Sequence, residues 1–374
     1  MRTFTCQCGS RIFFENRSCT NCGARLGFFP SSLELVALGP SNEVGAFQGP
    51  GGAVGHECEL FGQLCNWLVE DGAARCRACR LNVVELDTAE TNRVASNAAE
   101  PTASNADGAR PAADDEQGRQ VMEASKRRLL FTLFELGLDV PSRHENADGL
   151  AFALTRTDPD DPDAPAMTGH ADGLITINLA EASPLEREST RLSLGENYRT
   201  VLGHFRHESG HFFWDRLVRD GGRLDEFRAL FGDERNDYEE ALRKHYEAPR
   251  PFDASLHVSP YATMHPWEDF AETWAHYLHL FDTWETAQSF GLAPRSSTRP
   301  HDFPSRLSDW SELMLALNAL NRSMGQPDAY PFAIGPAVAD KLAFVEDLIR
   351  RAPGASERRS ADPALEPSSA RAGA

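Results

Sequence analysis

The spacing of apolar positions changes character several times along the chain. From Met1 to about Asn82, short apolar stretches are broken by cysteine and glycine and hold few large apolar side chains, which reads as short strands and knuckles. From about Thr88 to Gln117 the residues are mostly Ala, Asn, Thr, Ser, Asp, Glu and Pro. Such a stretch cannot bury enough surface to offset the entropy of ordering it, so residues 83–119 are expected to form a flexible linker. Helical spacing begins near Gln120, with Val121, Ala124, Leu129, Leu133 and Leu136 apolar and Lys126, Arg127 and Arg128 polar. Gly137 is the expected stop.

Further on, Gly173–Leu179 is rich in β-branched residues and alternates in part, which predicts a strand. A long helix is expected from about Tyr198 to Arg219, ending at Gly221-Gly222. Another starts near Pro266, a residue suited to a first helical turn, and runs to about Leu280. Two more are expected around 307–321 and 337–350, and the Ser-, Ala-, Pro- and Arg-rich tail 352–374 reads as disordered.

A chain of 374 residues, 41% hydrophobic and 25% charged, suits one large globular domain with a smaller one. No apolar run is long enough to span a bilayer, so no membrane partner is expected. Met1-Arg2-Thr3-Phe4-Thr5-Cys6 carries no apolar export segment, which makes the cytoplasm the expected compartment. A net charge of -19 argues against a nucleic-acid partner, because a phosphate backbone calls for a basic face. Composition sets no oligomeric state.

All 8 cysteines precede residue 80. In a reducing compartment they favour metal over disulfides. Cys6 and Cys8 are followed by Cys19 and Cys22, and Cys58 and Cys65 by Cys76 and Cys79. Closely spaced thiolates form a knuckle, and two knuckles supply the four sulfurs a structural zinc prefers. Two sites in sequence order or one interleaved arrangement are both compatible with the spacing, and His56 is a candidate substitute ligand. The module is expected to depend on metal for its fold.

The chemistry of the second half centres on His207-Glu208-Ser209-Gly210-His211. On a helix this spacing puts two imidazoles one turn apart on one face, able to share a zinc, with Glu208 placed as general base. Val201, Leu202, Phe205, Phe212, Leu217 and Val218 supply a stripe that can bury the helix. A hydrolytic zinc needs a third protein ligand and an open fourth position. No third His follows at short spacing, so a carboxylate is expected. Glu268 and Glu234 are the candidates, with Glu272 one turn beyond Glu268 to orient the ligands. His204 shares the helix face as a rival ligand, and His276 and His279 are expected near the cleft.

The segments His204–Trp214, Gly232–Tyr238 and His265–His279 resemble the Peptidase Mx type of bacterial zinc-binding metallopeptidase with an N-terminal zinc ribbon. So do Cys65-Asn66-Trp67, Thr168-Gly169-His170 and Asn321–Gly325. A looser similarity links Glu268-Asp269-Phe270-Ala271-Glu272 to lethal-factor-type zinc peptidases, which implies Glu268 as the third ligand. Those peptidases also place a tyrosine at the offset of Tyr261, seven residues ahead of Glu268. That implies a phenol beside the open position; the alternative is a buried tyrosine tying down its loop.

The expected fold is therefore α+β: a small N-terminal zinc-ribbon module (1–82), the linker, then a mainly helical zincin-like metallopeptidase domain (120–351). Its edge strand at about Ile175–Leu179 is expected to border the cleft and receive an extended peptide. Zn2+ is the expected cofactor, one catalytic and one or two structural, and a peptide or protein the expected substrate. Two rival readings are a recruitment module with a silent second domain and a zinc amidase acting on small substrates.

Overall fold

The computed structural model describes residues 2–83, 112–155, 168–248, 251–293 and 302–354. The expected linker, beyond its two ends, and nearly all of the expected disordered tail lie outside these residues.

The N-terminal part is built of short antiparallel strands. β1 (Phe4–Thr5) pairs with β2 (Arg11–Ile12), and β3 (Leu26–Phe29) with β4 (Glu34–Ala37). β5 (Gly39–Pro40), β6 (Ala46–Gln48), β7 (Val54–Glu57) and β8 (Leu68–Val69) form a meander in that order.

The reading of few large apolar residues here needs correction. Phe4, Phe14, Phe28 and Trp67 are all buried, and they join the core of the second half. Phe28 and Trp67 lie with ring centroids 4.7 Å apart. Phe14 meets Phe131 edge-on at 5.2 Å, and Trp67 meets Phe134 at 6.0 Å. Phe131 and Phe134 belong to α1 (Ala112–Glu135). These aromatic residues follow no single period, so the pattern conceals a core that exists only once the strands fold over the helix.

α1 ends before Gly137, whose φ of +74° is the left-handed conformation of a helix stop. Then come β9 (Ala151–Thr155), β10 (Gly169–Ala171) and β11 (Leu174–Asn178). The sheet order is β10-β11-β9, with β11 antiparallel to β10 and parallel to β9. The expected edge strand at Ile175–Leu179 is thus the central one. Ile175 and Ile177 are fully buried in it, whereas β10 has too few apolar residues to announce itself. The far side of β9 is met by the end of the cysteine-rich part, where Val83 N donates to Phe152 O at 2.9 Å.

The helices are α2 (Pro184–Ser193), α3 (Val201–Trp214), α4 (Leu224–Phe231), α5 (Tyr238–Glu247), α6 (Pro266–Ser289), α7 (Phe303–Ser323) and α8 (Pro336–Arg351). α3 starts at Thr200, whose Oγ1 accepts from Gly203 N at 3.0 Å, and continues as a π-helical turn over Asp215–Arg219. α2, α4, α5, β9 and β10 have no counterpart in the sequence reading. All five are short; α2 and α5 contain no buried residue, and β9 and α4 bury apolar residues over too few positions to set a period.

α3 and α6 pack directly on one another. A Cβ added at Gly210 would lie 2.9 Å from the Ala271 backbone and 3.2 Å from the Trp274 side chain. Ser209 reinforces the crossing, accepting from Trp274 Nε1 at 3.1 Å and donating to Arg206 O at 2.7 Å. Nearby, the buried Asp282 accepts from Arg206 at 2.5 Å and from Thr132 at 2.6 Å, joining α1, α3 and α6.

Gly210→Ala should therefore force the helices apart. The expected cost is about 1–3 kcal/mol of stability by overpacking, read by urea denaturation; an unchanged midpoint would show that the crossing can relax.

Candidate metal centre

The eight thiols gather into two groups. Cys6, Cys8, Cys19 and Cys22 form one; Cys58, Cys65, Cys76 and Cys79 form the other, each with its sulfurs within 4.8 Å of one another. The arrangement is sequential rather than interleaved. Sγ separations are 3.7 Å for Cys6–Cys22 and Cys8–Cys19 and 3.6 Å for Cys65–Cys76. A tetrahedron of sulfurs at ~2.3 Å from zinc has an edge of ~3.8 Å, whereas a disulfide would need about 2.05 Å. The donor sets fit zinc.

Cys58 and Cys65 look too far apart for a knuckle, yet the chain coils between them. Phe61 N bonds Cys58 O at 2.7 Å, and Gly62 takes φ +80°. Backbone N–H groups of Cys76 and Trp67 point at Cys58 Sγ and Cys65 Sγ, at 3.4 and 3.3 Å. His56 is half exposed, lies 3.3 Å from Glu43 and belongs to neither tetrad.

A third group comprises His207, His211 and Glu268. α3 supplies the imidazoles, and the first turn of α6 supplies the carboxylate across the Gly210 crossing. His207 Nε2 lies 2.9 Å from Glu268 Oε2, and His211 Nε2 lies 3.5 Å from Glu268 Oε1. The other nitrogen of His207, Nδ1, is 2.7 Å from Glu272 Oε1. Glu272 in turn accepts from Ser259 Oγ at 2.6 Å. Two imidazole nitrogens and a carboxylate oxygen converging on one point are a donor set suited to zinc, with Glu272 orienting His207 from behind. Burial works against a charged His207, but its bonds to Glu268 and Glu272 outweigh that and hold its pKa well above the ordinary value. Two carboxylates therefore favour a positive charge where a metal cation would sit.

Glu208 is 7% exposed, and burial raises its carboxyl above the usual range against the pull of His207 and His211. No hydrogen bond ties it to another described residue. Tyr261 lies in a single 3-10 turn, its ring 5.9 Å from that of His207, and burial raises its phenol above the ordinary value. Ser259 pins this turn as well, accepting from Ala262 N at 3.1 Å.

The other candidates lie elsewhere. Glu234 is engaged by Arg228, at 3.0 Å from Nε, and takes no part in the group. His204 is 3.7 Å from Glu181. His276 meets the Tyr330 hydroxyl at 2.7 Å, and His279 packs on Tyr330 and Tyr198. Three neighbours of the site lie in segments that carry the family resemblance, but the sequence assigned them no role of their own. Tyr238 donates to Glu268 Oε1 at 2.9 Å. Trp267 lies against His211 with ring centroids 3.8 Å apart, and His170 from β10 stacks on the same imidazole at 6.0 Å.

The profile of the family described as "Putative zinc-binding metallo-peptidase" matches residues 116–348, and a zinc-ribbon domain profile matches residues 3–89. The chain belongs to this metallopeptidase family. It is similar to uncharacterized proteins of Mycobacterium tuberculosis (strains CDC 1551 and H37Rv) and Mycobacterium bovis. Each is 38% identical over 362 residues, covering 93% of this chain and 95% of the relative. No solved structure matches. The family and its ribbon account for both halves of the molecule: zinc binding through cysteine clusters, and a mainly helical second part. No helix among the described residues is long and apolar enough to cross a membrane.

If all three groups hold zinc, metal analysis of the purified protein should return about three equivalents per chain. His207→Ala and Glu268→Ala should each return one fewer, and Glu234→Ala the full number. An unchanged count in His207→Ala would exclude that group.

Proposed function

We propose that the protein is a zinc-dependent peptidase of zincin type, whose centre is His207, His211 and Glu268 with Glu208 as general base. The observation that carries this reading is the convergence of Glu268 on the imidazoles of His207 and His211, with the buried Glu208 next to His207 on the same helix. Family membership supports a peptide or protein as substrate.

Zinc at such a site supplies Lewis acidity, polarising a carbonyl and lowering the pKa of water to about 7. The remaining work falls to side chains. Glu208 accepts the proton of the attacking water at its carboxylate and delivers it to the leaving amine. Its burial favours the protonated form it must reach halfway through the cycle. Glu272, held by Ser259, keeps His207 in the tautomer whose Nε2 faces the centre. Tyr261, protonated because its phenol is buried, donates to the oxyanion that forms at the substrate carbonyl. An extended substrate would lie along β10, the outer strand on the side of His170, rather than along the central β11.

A silent domain recruited through the ribbon has no use for a convergent His/His/Glu set with a buried carboxylate, Glu208, beside it. A small-substrate amidase shares the chemistry but not the strand beside the site.

Glu208→Gln should keep its zinc and lose hydrolysis of a peptide library by about 10²–10⁴-fold in kcat, the usual loss for a missing general base. Full turnover in the zinc-replete variant would end the mechanism. Tyr261→Phe should leave zinc content and melting temperature nearly unchanged and lower kcat about a hundredfold or more. If Tyr261 only anchors its loop, turnover holds and any loss shows as stability.

A further inference from the structure

Glu268 offers its two oxygens to different partners. Oε2 is 2.9 Å from His207 Nε2, whereas Oε1 accepts from the Tyr238 hydroxyl at 2.9 Å and lies farther, 3.5 Å, from His211 Nε2. The carboxylate is almost wholly buried, so what its oxygens meet is set by protein groups rather than by bulk water.

Tyr238 is the first residue of α5, a helix with no buried residue of its own. The phenol is instead fixed from α6: its ring packs edge-on against His265 at 5.5 Å and Trp267 at 5.9 Å. The preceding loop is tied to the same place, with His265 Nε2 3.1 Å from Asn236 O, and Asp237 caps α5 by accepting from Glu240 N at 2.9 Å. The result is an O–H group held in a defined direction against a candidate ligand, by contacts that a phenylalanine ring would keep.

We propose that Tyr238 is a positioning residue for Glu268: by occupying Oε1 it leaves Oε2 as the single oxygen offered to the metal, and so keeps a coordination position free for the reaction. A carboxylate with both oxygens unengaged can bind zinc through both and take up the space that water or substrate needs. A hydrogen bond to one oxygen draws off its lone pair and fixes the rotation of the carboxylate, as partners behind metal ligands commonly do. The inference rests on the metal reading of His207, His211 and Glu268, and it gives the two tyrosines different work. Tyr238 acts through Glu268, and Tyr261 acts on the substrate.

The test uses full-length protein loaded with Co2+, whose visible bands report coordination number and separate a His/carboxylate site from the two all-cysteine sites. In Tyr238→Phe, the His/carboxylate site should bind cobalt 10- to 100-fold more weakly in chelator competition. Its visible band should weaken as a fifth donor enters, while the sulfur-to-cobalt bands stay as in wild type. The metal-free melting temperature should not move, and Tyr261→Phe should keep wild-type cobalt affinity. Wild-type affinity in Tyr238→Phe, or an unchanged visible band whatever the affinity, overturns the proposal. So does a fall in the metal-free melting temperature, which would mark Tyr238 as a packing residue. Absence of any His/carboxylate cobalt band in the wild-type protein would sink the metal reading and this inference together, whereas the preceding results sink this inference alone.

Discussion

The close approach of α3 to α6 at Gly210 is the constraint on which the rest of the site depends. The backbone of Ala271 lies where a side chain on residue 210 would go. Only at that separation does the first turn of α6 bring Glu268 against imidazoles on α3. The two residues inside the His-Glu-x-x-His pattern are therefore not spacers. Gly210 permits the contact, and Ser209 locks it by accepting from Trp274. Within five consecutive residues, His207 and His211 belong to the centre while Ser209 and Gly210 face α6. This follows from helical geometry once one face of α3 is committed to α6.

Around this crossing, polar groups fix what apolar packing alone would leave loose. Asp282 takes hydrogen bonds from Arg206 and Thr132, so the helix carrying His207 is tied to the helix that completes the ribbon's aromatic core. Lys341 spans from Asp269 to Leu256 O, at 2.6 and 2.7 Å, and ties α8 and the loop ahead of Tyr261 to the residue beside Glu268. Burial pushes the Asp269 carboxyl up to about 6, with Lys341 pulling the other way. Each of these links has a charged or hydroxyl donor, set on the buried carboxylate of Asp282 or Asp269 or on the Leu256 carbonyl. Removing one partner leaves the other unsatisfied at a cost well above the net worth of the bond.

The cysteine-rich part joins this framework through shared core. Phe14, Phe28 and Trp67 pack on Phe131 and Phe134, and the chain leaving the second tetrad pairs with β9. Metal holds the knuckles, while aromatic burial holds the knuckles to the rest of the molecule. The two contributions are physically separate, which is why cysteine spacing exposes one and says nothing of the other.

The sequence by itself determined which side chains can meet a metal. Closely set cysteine pairs mark zinc binding because thiolates must come together to hold a metal, and the spacing of His207 and His211 puts two imidazoles on one helix face by helical repeat alone. α1 and α3 were legible from their apolar stripes, and α6 from the proline that opens it. Tertiary structure decided what sequence spacing leaves open. Glu268 rather than Glu234 meets the imidazoles, because Arg228 takes up Glu234 while the α3–α6 crossing delivers Glu268. The two tetrads close in chain order, because a coil between Cys58 and Cys65 brings distant thiols together. The outer strand is β10 and not β11, because the most β-rich segment has both of its neighbours to pair with. Tyr238 reaches Glu268 from a helix with no apolar signature, since a single hydroxyl contact between distant segments has no period to read.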